Sequence, residues 1–248
     1  MVKRLLTLAL INAVFVSCAA TAQVSESDSM LVVTEEWAPY NYTNLDGNVV
    51  GISTEVVEQT LTNSDIPYTI NSYPWVRSYE LALNNANVLL YSTVRTPERE
   101  PLFHWVCPLH LVEYSLFKLA SRTDIVINSL SDLKKYSTGV TRGAFSDSLF
   151  EREKLLNGIH LQVSSNNQVN FRNLINERVD LIINTQQYID LHLSKLALAP
   201  EYISSAYKLN DDANTEMELC MAISLKTPMA LVNKIKAEHQ KLVKAQSD

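Results

Sequence analysis

From residue 30 the chain alternates short apolar runs with stretches whose apolar residues recur at helical spacing. Met30-Leu31-Val32-Val33 reads as a strand, followed by the polar and aromatic loop "TEEWAPYNYTNLDGNVVG". Within it Leu45 to Asn48 is a turn, because an Asp-Gly pair suits the backbone of a tight hairpin. Ile52 to Leu61 sets Val56, Val57 and Leu61 on one helical face, with Ser53 or Thr54 as the candidate cap. The run "PYTINSY" predicts a strand, Val76 to Leu83 a helix and Val88 to Tyr91 a strand. That β-α-β-α-β order implies a mostly parallel sheet covered by helices.

A longer strand is expected over Leu111 to Leu119, and then the alternation restarts. Helices are expected at Ser131 to Lys135, from Phe145, and over Val169 to Ile175. The strands between and after them are Thr138 to Val140, Ile159 to Val163 and Val179 to Ile183. After Tyr207 the polar stretch "LNDDANTE" precedes a strand at Leu219 to Ser224 and a last helix, Pro228 to Val243. The reading is an α/β chain in two lobes: residues 23–110 with 220–248, and residues 111–219. Two crossings join them and leave a cleft, and strand C-terminal ends are where such folds bind ligands.

The first residues add an address. Lys3-Arg4, the apolar run Leu5 to Val16 and the small residues Ala20-Thr21-Ala22 form a secretory signal over residues 1–22. The apolar run is too short for a permanent membrane anchor. Cys18 offers a rival reading as a lipidation site, opposed by the bulky Phe15 before it. Losing Lys3 and Arg4 takes the net charge from -6 to -8, since residues 1–22 contain no acid. That balance argues against a nucleic-acid or anionic-membrane partner. Only five glycines occur, so no Gly-rich phosphate cradle is available. Cys107 and Cys220 remain in the exported chain. A disulfide would suit an oxidising compartment, but both lie in apolar strand-like runs, and buried free cysteine is the preferred reading.

Candidate chemistry concentrates in "LLYSTVRTPEREPLFHW", where an apolar strand runs straight into hydroxyls and two arginines. Arg95 and Arg99 fit either a solvated loop, paired with Glu98 and Glu100, or an anion site. In "HWVCPLH" an extended backbone holds His104 and His110 ~20 Å apart with Cys107 on the opposite face, which opposes a metal site. Gly-x-Ser-x-Gly and His-Glu-x-x-His hydrolase patterns are absent from the sequence. Glu35 and Glu36 are the carboxylates nearest the aromatic loop, and both are expected to face solvent.

The run "WAPYNYTNLDGNVVGISTEVVEQTL" resembles the opening of bacterial extracellular solute-binding proteins of family 3, the amino-acid type. "PWVRSYELALNNANVLLYSTVRTPERE", "VTRGAFSDSLF" and "ERVDLIINTQQYIDLHL" continue that resemblance in order. It implies a two-lobed periplasmic-binding-protein-like fold with two hinge crossings. It further implies a monomer in the periplasm, no enzymatic activity, no metal or cofactor, and delivery of a small solute to the membrane permease of an ABC importer. On the resemblance Arg99 grips a ligand carboxylate, with Tyr91, Ser92, Thr93 and Arg95 beside it on the cleft floor. Trp37 stacks on the ligand; Tyr40 and Tyr42 lie close by, with core packing as the competing role. Trp75 and Arg77 form another wall. Arg142, Gly143, Ala144 and Phe145 lead into a helix N-terminus, where free N–H groups favour an anion. Asn184 and Thr185 stand where such binders carry the acid that holds an α-ammonium, so an anionic or carboxylated ligand is expected in an arginine-rich, carboxylate-poor cleft. A ligand sensor and a dehydratase-like enzyme are the alternative readings.

Overall fold

The structure is a computed structural model that describes residues 29–209 and 217–247. The chain begins with β1 (Met30–Thr34), the hairpin of β2 (Tyr42–Thr43) and β3 (Val49–Val50), then α1 (Ile52–Asn63) and β4 (Tyr68–Ser72). After these come α2 (Trp75–Asn84), β5 (Val88–Val94) and β6 (Phe103–Val112). A second unit follows: β7 (Tyr114–Leu119), β8 (Thr138–Thr141), α3 (Ser146–Arg152), β9 (Leu161–Ser164), α4 (Asn167–Ile175), β10 (Leu181–Thr185), α5 (Gln186–Lys195) and β11 (Ile203–Lys208). β12 (Met217–Ser224) and α6 (Met229–Ser247) close the chain. The expected export signal, with Cys18, lies outside the described residues, as do residues 210–216.

Two five-stranded sheets form, ordered β4-β1-β5-β12-β6 and β11-β7-β10-β8-β9. In the first, β12 runs against both β5 and β6, while β1 pairs in parallel with β4 and β5. In the second, β7 runs against β10 and β11, while β8 pairs in parallel with β9 and β10. The reversed strand of each sheet is the one that arrives from the other sheet. β6 leaves its sheet at the end where β1 and β5 also finish, so β7 enters the second unit from the cleft and must run away from it. This reversal turns the C-terminal ends of both sets of parallel strands towards one cleft.

The first sheet is buried on both faces, as a helix-covered sheet requires. Val32, Leu89 and Tyr91 join a core with Val57 and Leu61 of α1 and Val232 and Ile235 of α6. Val33, Val88 and Leu90 point the other way, to Trp75 and Ala82 of α2.

Several boundaries differ from expectation for identifiable reasons. The single strand expected over Leu111–Leu119 is two strands in different sheets: Val112 pairs with Met217, Tyr114 pairs with Thr185, and Glu113 is the link. In the structure β6 extends to Val112, and β12, back in the first sheet, spans Met217–Ser224. β5 continues to Val94 because Thr93 and Val94 pair with Cys220 and Leu219. Gly51, at φ 131°, caps α1 in place of Ser53 or Thr54; a Cβ there would lie 2.4 Å from the Tyr40 carbonyl oxygen.

The two cysteines are bridged, which corrects the free-thiol expectation. β12 lies beside β6 in the sheet and brings together residues 113 positions apart in sequence. Closing so long a loop removes much unfolded-state entropy, so reduction, or the pair Cys107→Ala and Cys220→Ala, should cost about 2–5 kcal/mol. Urea midpoints of the oxidised and reduced protein test this; coincident midpoints would rule out a stabilising bridge.

Candidate functional site

The strand ends deliver the site. β1 is followed directly by Glu35, and Trp37 closes a tight turn on Asn41, with N–H to carbonyl bonds of 2.7 and 3.1 Å in the two directions. Asn41 Nδ2 donates to the Glu35 carbonyl at 2.6 Å, pinning the backbone that carries that carboxylate. β5 supplies Ser92 and Val94, and the turn at Thr96 brings Arg99 back, its N–H donating to the Thr96 carbonyl at 3.0 Å. The second unit adds Tyr114 of β7, Thr141 of β8, Ala144, Phe145 and Ser146 at the head of α3, Asn167 of α4, and Ile183 and Asn184 of β10. These groups enclose about 50 Å³, room for a few water molecules.

Direct hydrogen bonds join the lobes around that cavity. Trp37 Nε1–H donates to Asn184 Oδ1 at 2.9 Å, and Trp75 Nε1–H to the Gly143 carbonyl at 2.6 Å. Tyr40 O–H reaches Thr185 Oγ1 at 3.4 Å and Gln187 Oε1 at 3.3 Å. Arg99, 8% exposed, donates to the Val94 carbonyl and across the cleft to the Gly143 carbonyl, both at 3.1 Å. Its guanidinium carbon sits 5.1 Å from the Trp75 ring centroid and 5.4 Å from that of Tyr79. Gly143, in the left-handed region at φ 70°, thus presents one carbonyl to two donors. Every donor in these cross-cleft bonds belongs to the first lobe and every acceptor to the second. Tyr114 adds ring contacts with Trp37 at 5.8 Å and Phe145 at 4.4 Å.

Of the residues singled out from sequence, Trp37, Trp75, Ser92, Arg99, Ala144, Phe145 and Asn184 meet on the cavity wall, and the Gly143 carbonyl accepts from Trp75 and Arg99. The others lie elsewhere. Tyr91 points to α1, its hydroxyl 2.8 Å from Thr54 Oγ1, since alternate residues of β5 serve opposite faces. Thr93 is buried in the sheet beside Cys220. Arg95 is the surface ion pair, its Nη2 2.6 Å from Glu100 Oε1. Arg77 is exposed over the Tyr73 ring at 4.2 Å. Arg142 is exposed and borders a separate hollow near Phe150 and Leu155. Tyr40 and Thr185 are buried behind the wall, where Thr185 also caps α5 by accepting from the Tyr188 N–H.

Glu35 was expected in solvent and instead lines the cavity. Its Oε2 is enclosed and has no hydrogen-bond partner among the described residues, and neither has Ser92 Oγ. Burial pushes the Glu35 carboxyl up to about 7, with the Arg99 charge pulling it down and the Glu36 charge pushing it up. Ser92 holds φ 56°, an uncommon backbone for a side-chain-bearing residue and one that clusters at functional sites. The cavity wall therefore carries one arginine and one carboxylate, which corrects the arginine-rich, carboxylate-poor expectation. Position immediately after a parallel strand was the signal that would have found Glu35. Tyr114, Thr141, Ser146 and Asn167 carried no comparable signal.

No family model and no curated protein matches the chain. Solved structures do. An ancestral arginine-binding protein bound to arginine aligns with TM-score 0.74 at 15% identity, over 88% of this chain and 93% of that one. A histidine kinase sensor domain with similarity to periplasmic binding proteins aligns with TM-score 0.77 at 11% identity, over 88% and 92%. The arginine-, lysine-, histidine-binding protein ArtJ from Geobacillus stearothermophilus gives TM-score 0.73 at 14% identity, over 88% and 91%. At such identities the likeness carries the fold, and the fold is the two-lobed periplasmic-binding-protein fold. Among the described residues no helix is long and apolar enough to cross a membrane.

The Glu35 carboxyl makes stability depend on pH. The folded chain keeps this proton to higher pH than the unfolded chain, so stability falls as pH rises from the ordinary carboxyl range through about 7. Glu35→Gln should remove that fall. At pH 8 it should exceed wild type by up to ~3 kcal/mol, and the two should converge near pH ~4. Chemical denaturation across pH checks this; parallel profiles would put the carboxyl in water.

Proposed function

We propose that this chain is a monomeric periplasmic binding protein of the family 3 type. It captures a small carboxylate-bearing solute between its lobes and delivers it to the permease of an ABC importer. The observation that carries the reading is Arg99, a guanidinium buried at the meeting of both lobes on the wall of a small cavity. A guanidinium fixed by a carbonyl on each side is oriented in advance, and its fork matches a carboxylate. The cross-cleft hydrogen bonds favour a hinge that closes over the bound solute. The cavity wall holds Glu35 as its single carboxyl and no histidine or cysteine among the described residues, which supports binding over turnover. The signal-like first 22 residues and the Cys107–Cys220 bridge both suit an oxidising exported compartment.

A ligand-sensing role is the second reading, favoured by the likeness to the kinase sensor domain. Uptake of labelled solute by cells with and without the protein separates the two, since only the importer reading requires uptake to fall.

A thermal-shift screen of small carboxylates tests the binding itself, because a ligand of the folded state stabilises by RT ln(1 + [L]/Kd). Arg99→Ala should weaken the best hit by about 2–5 kcal/mol, and Arg99→Lys should restore only part, since an ammonium cannot make two parallel bonds. An Arg99→Ala variant that binds as tightly as wild type would overturn the reading.

A further inference from the structure

We propose that Cys107, Cys220 and Glu218 form a site for zinc or another thiophilic divalent metal ion, which becomes available when the disulfide is reduced. The ion then replaces the covalent bridge as the tie between β6 and β12.

The geometry is set by the sheet. The three donor atoms, two Sγ and one carboxylate oxygen, lie within 4.8 Å of one another. Among the described residues no other set of three His, Cys, Asp or Glu donors converges so closely. In a tetrahedral zinc site two sulfurs stand ~3.8 Å apart. Strands that hold the cysteine Cα atoms 4.7 Å apart accommodate that separation by side-chain rotation. The ladder at this point is irregular: Leu219 pairs with His110 and Met221 with Val106, so Cys107, Pro108 and Leu109 stand opposite Cys220 alone. Such breaks re-aim side chains beside functional sites. Pairs on either side, Met217 with Val112 and Ser224 with Phe103, keep the strands together when the bridge is open.

The donor set selects the ion. Two thiolates and a carboxylate suit zinc and its soft neighbours, whereas calcium and magnesium take oxygen ligands. A fourth tetrahedral position is left for water. Cys220 is buried, Cys107 half-buried and Glu218 exposed, so the ion enters from solvent on the Glu218 side. Three anionic ligands around a divalent ion leave one net negative charge. Arg95, held protonated by its hydrogen bonds to Glu100 and further by the Glu218 charge, lies close enough to balance it. Opening the bridge takes two electrons and two protons from a dithiol reductant, which leaves as its own disulfide. The ion then displaces both thiol protons to solvent.

These three residues are not on the wall of the cavity between the lobes, so the inference stands apart from the binding reading. Its place in the fold gives it a consequence. β6 runs on through Glu113 into the second lobe, and β12 is the strand that comes back. Bridge and metal alike therefore tie together the two strands that carry the crossings.

Cobalt(II), a coloured stand-in for zinc, tests this on the full chain, oxidised and after anaerobic reduction by a dithiol that is then removed. The reduced protein should take up one cobalt ion, with a sulfur-to-cobalt charge-transfer band and the visible bands of a tetrahedral site. The oxidised protein should show neither, and zinc should bleach both. Cys107→Ser and Cys220→Ser should each lose the charge-transfer intensity of two thiolates. Glu218→Ala should still form the disulfide, yet once reduced bind zinc at least about tenfold more weakly, the least expected for a lost metal ligand. Zinc should raise the urea midpoint of the reduced wild type and leave that of the oxidised protein unchanged.

A reduced protein without these bands would overturn the site, as would equal cobalt binding by the oxidised protein. Equal zinc affinity in reduced Glu218→Ala would overturn the third ligand. A reduced chain that zinc leaves unfolded, or whose urea midpoint zinc does not move, would overturn the metal as a tie between the strands.

Discussion

A guanidinium taken out of water must be given acceptors, and the meeting of the two lobes is organised around that requirement for Arg99. One acceptor is local, the Val94 carbonyl at the end of β5. The other, the Gly143 carbonyl, exists only when the second lobe is in place. Trp75 shares that carbonyl and lays its ring beside the guanidinium, so the same contact satisfies a charge, an indole N–H and a cation–π pair. Opening the cleft returns all of these to water together. Closure is thus coupled to the group that would hold a ligand carboxylate.

Within this arrangement the cavity keeps two polar atoms unmet, Glu35 Oε2 and Ser92 Oγ, and a serine in left-handed backbone. Each is individually unfavourable for the folded chain. Both line the cavity wall, while nearby Ser78 Oγ donates to the Thr34 carbonyl at 2.7 Å, one residue before Glu35. Their place on the cavity wall sets them apart from Thr34 Oγ1, Ser53 Oγ and Thr93 Oγ1, which are also buried without partners among the described residues.

Most of the fold was legible in the sequence because its parallel strands are apolar on both faces. Val88-Leu89-Leu90 reads as a strand whichever side faces the helices. The break at Glu113 was not legible, because Val112 and Tyr114 on either side are both good strand residues and neither glycine nor proline marks the change of sheet. The bridge between Cys107 and Cys220 was hidden by distance along the chain, since only the insertion of β12 beside β6 makes them neighbours. In the site, Arg95 and Arg99 are alike in type and four residues apart; the turn at Thr96 sends one to the surface and the other inward. Glu35 is of a residue type that usually faces solvent, but its position directly after a parallel strand turns it into the cleft.

The placement of β12 in the first sheet also orders events in time. The second lobe is one continuous stretch from β7 to β11 and holds all the strands of its sheet. The first lobe does not: β12 fills the gap between β5 and β6, so that sheet stays divided until residues 217–224 emerge. A chain delivered N-terminus first can therefore complete its middle before its beginning. Until then β5 and β6 carry unpaired edges, which are templates for wrong partners. Cys107 likewise waits as a thiol until Cys220 arrives. The interval between the two cysteines is when this protein is most exposed to mispairing, and the last strand ends it by closing sheet and bridge together.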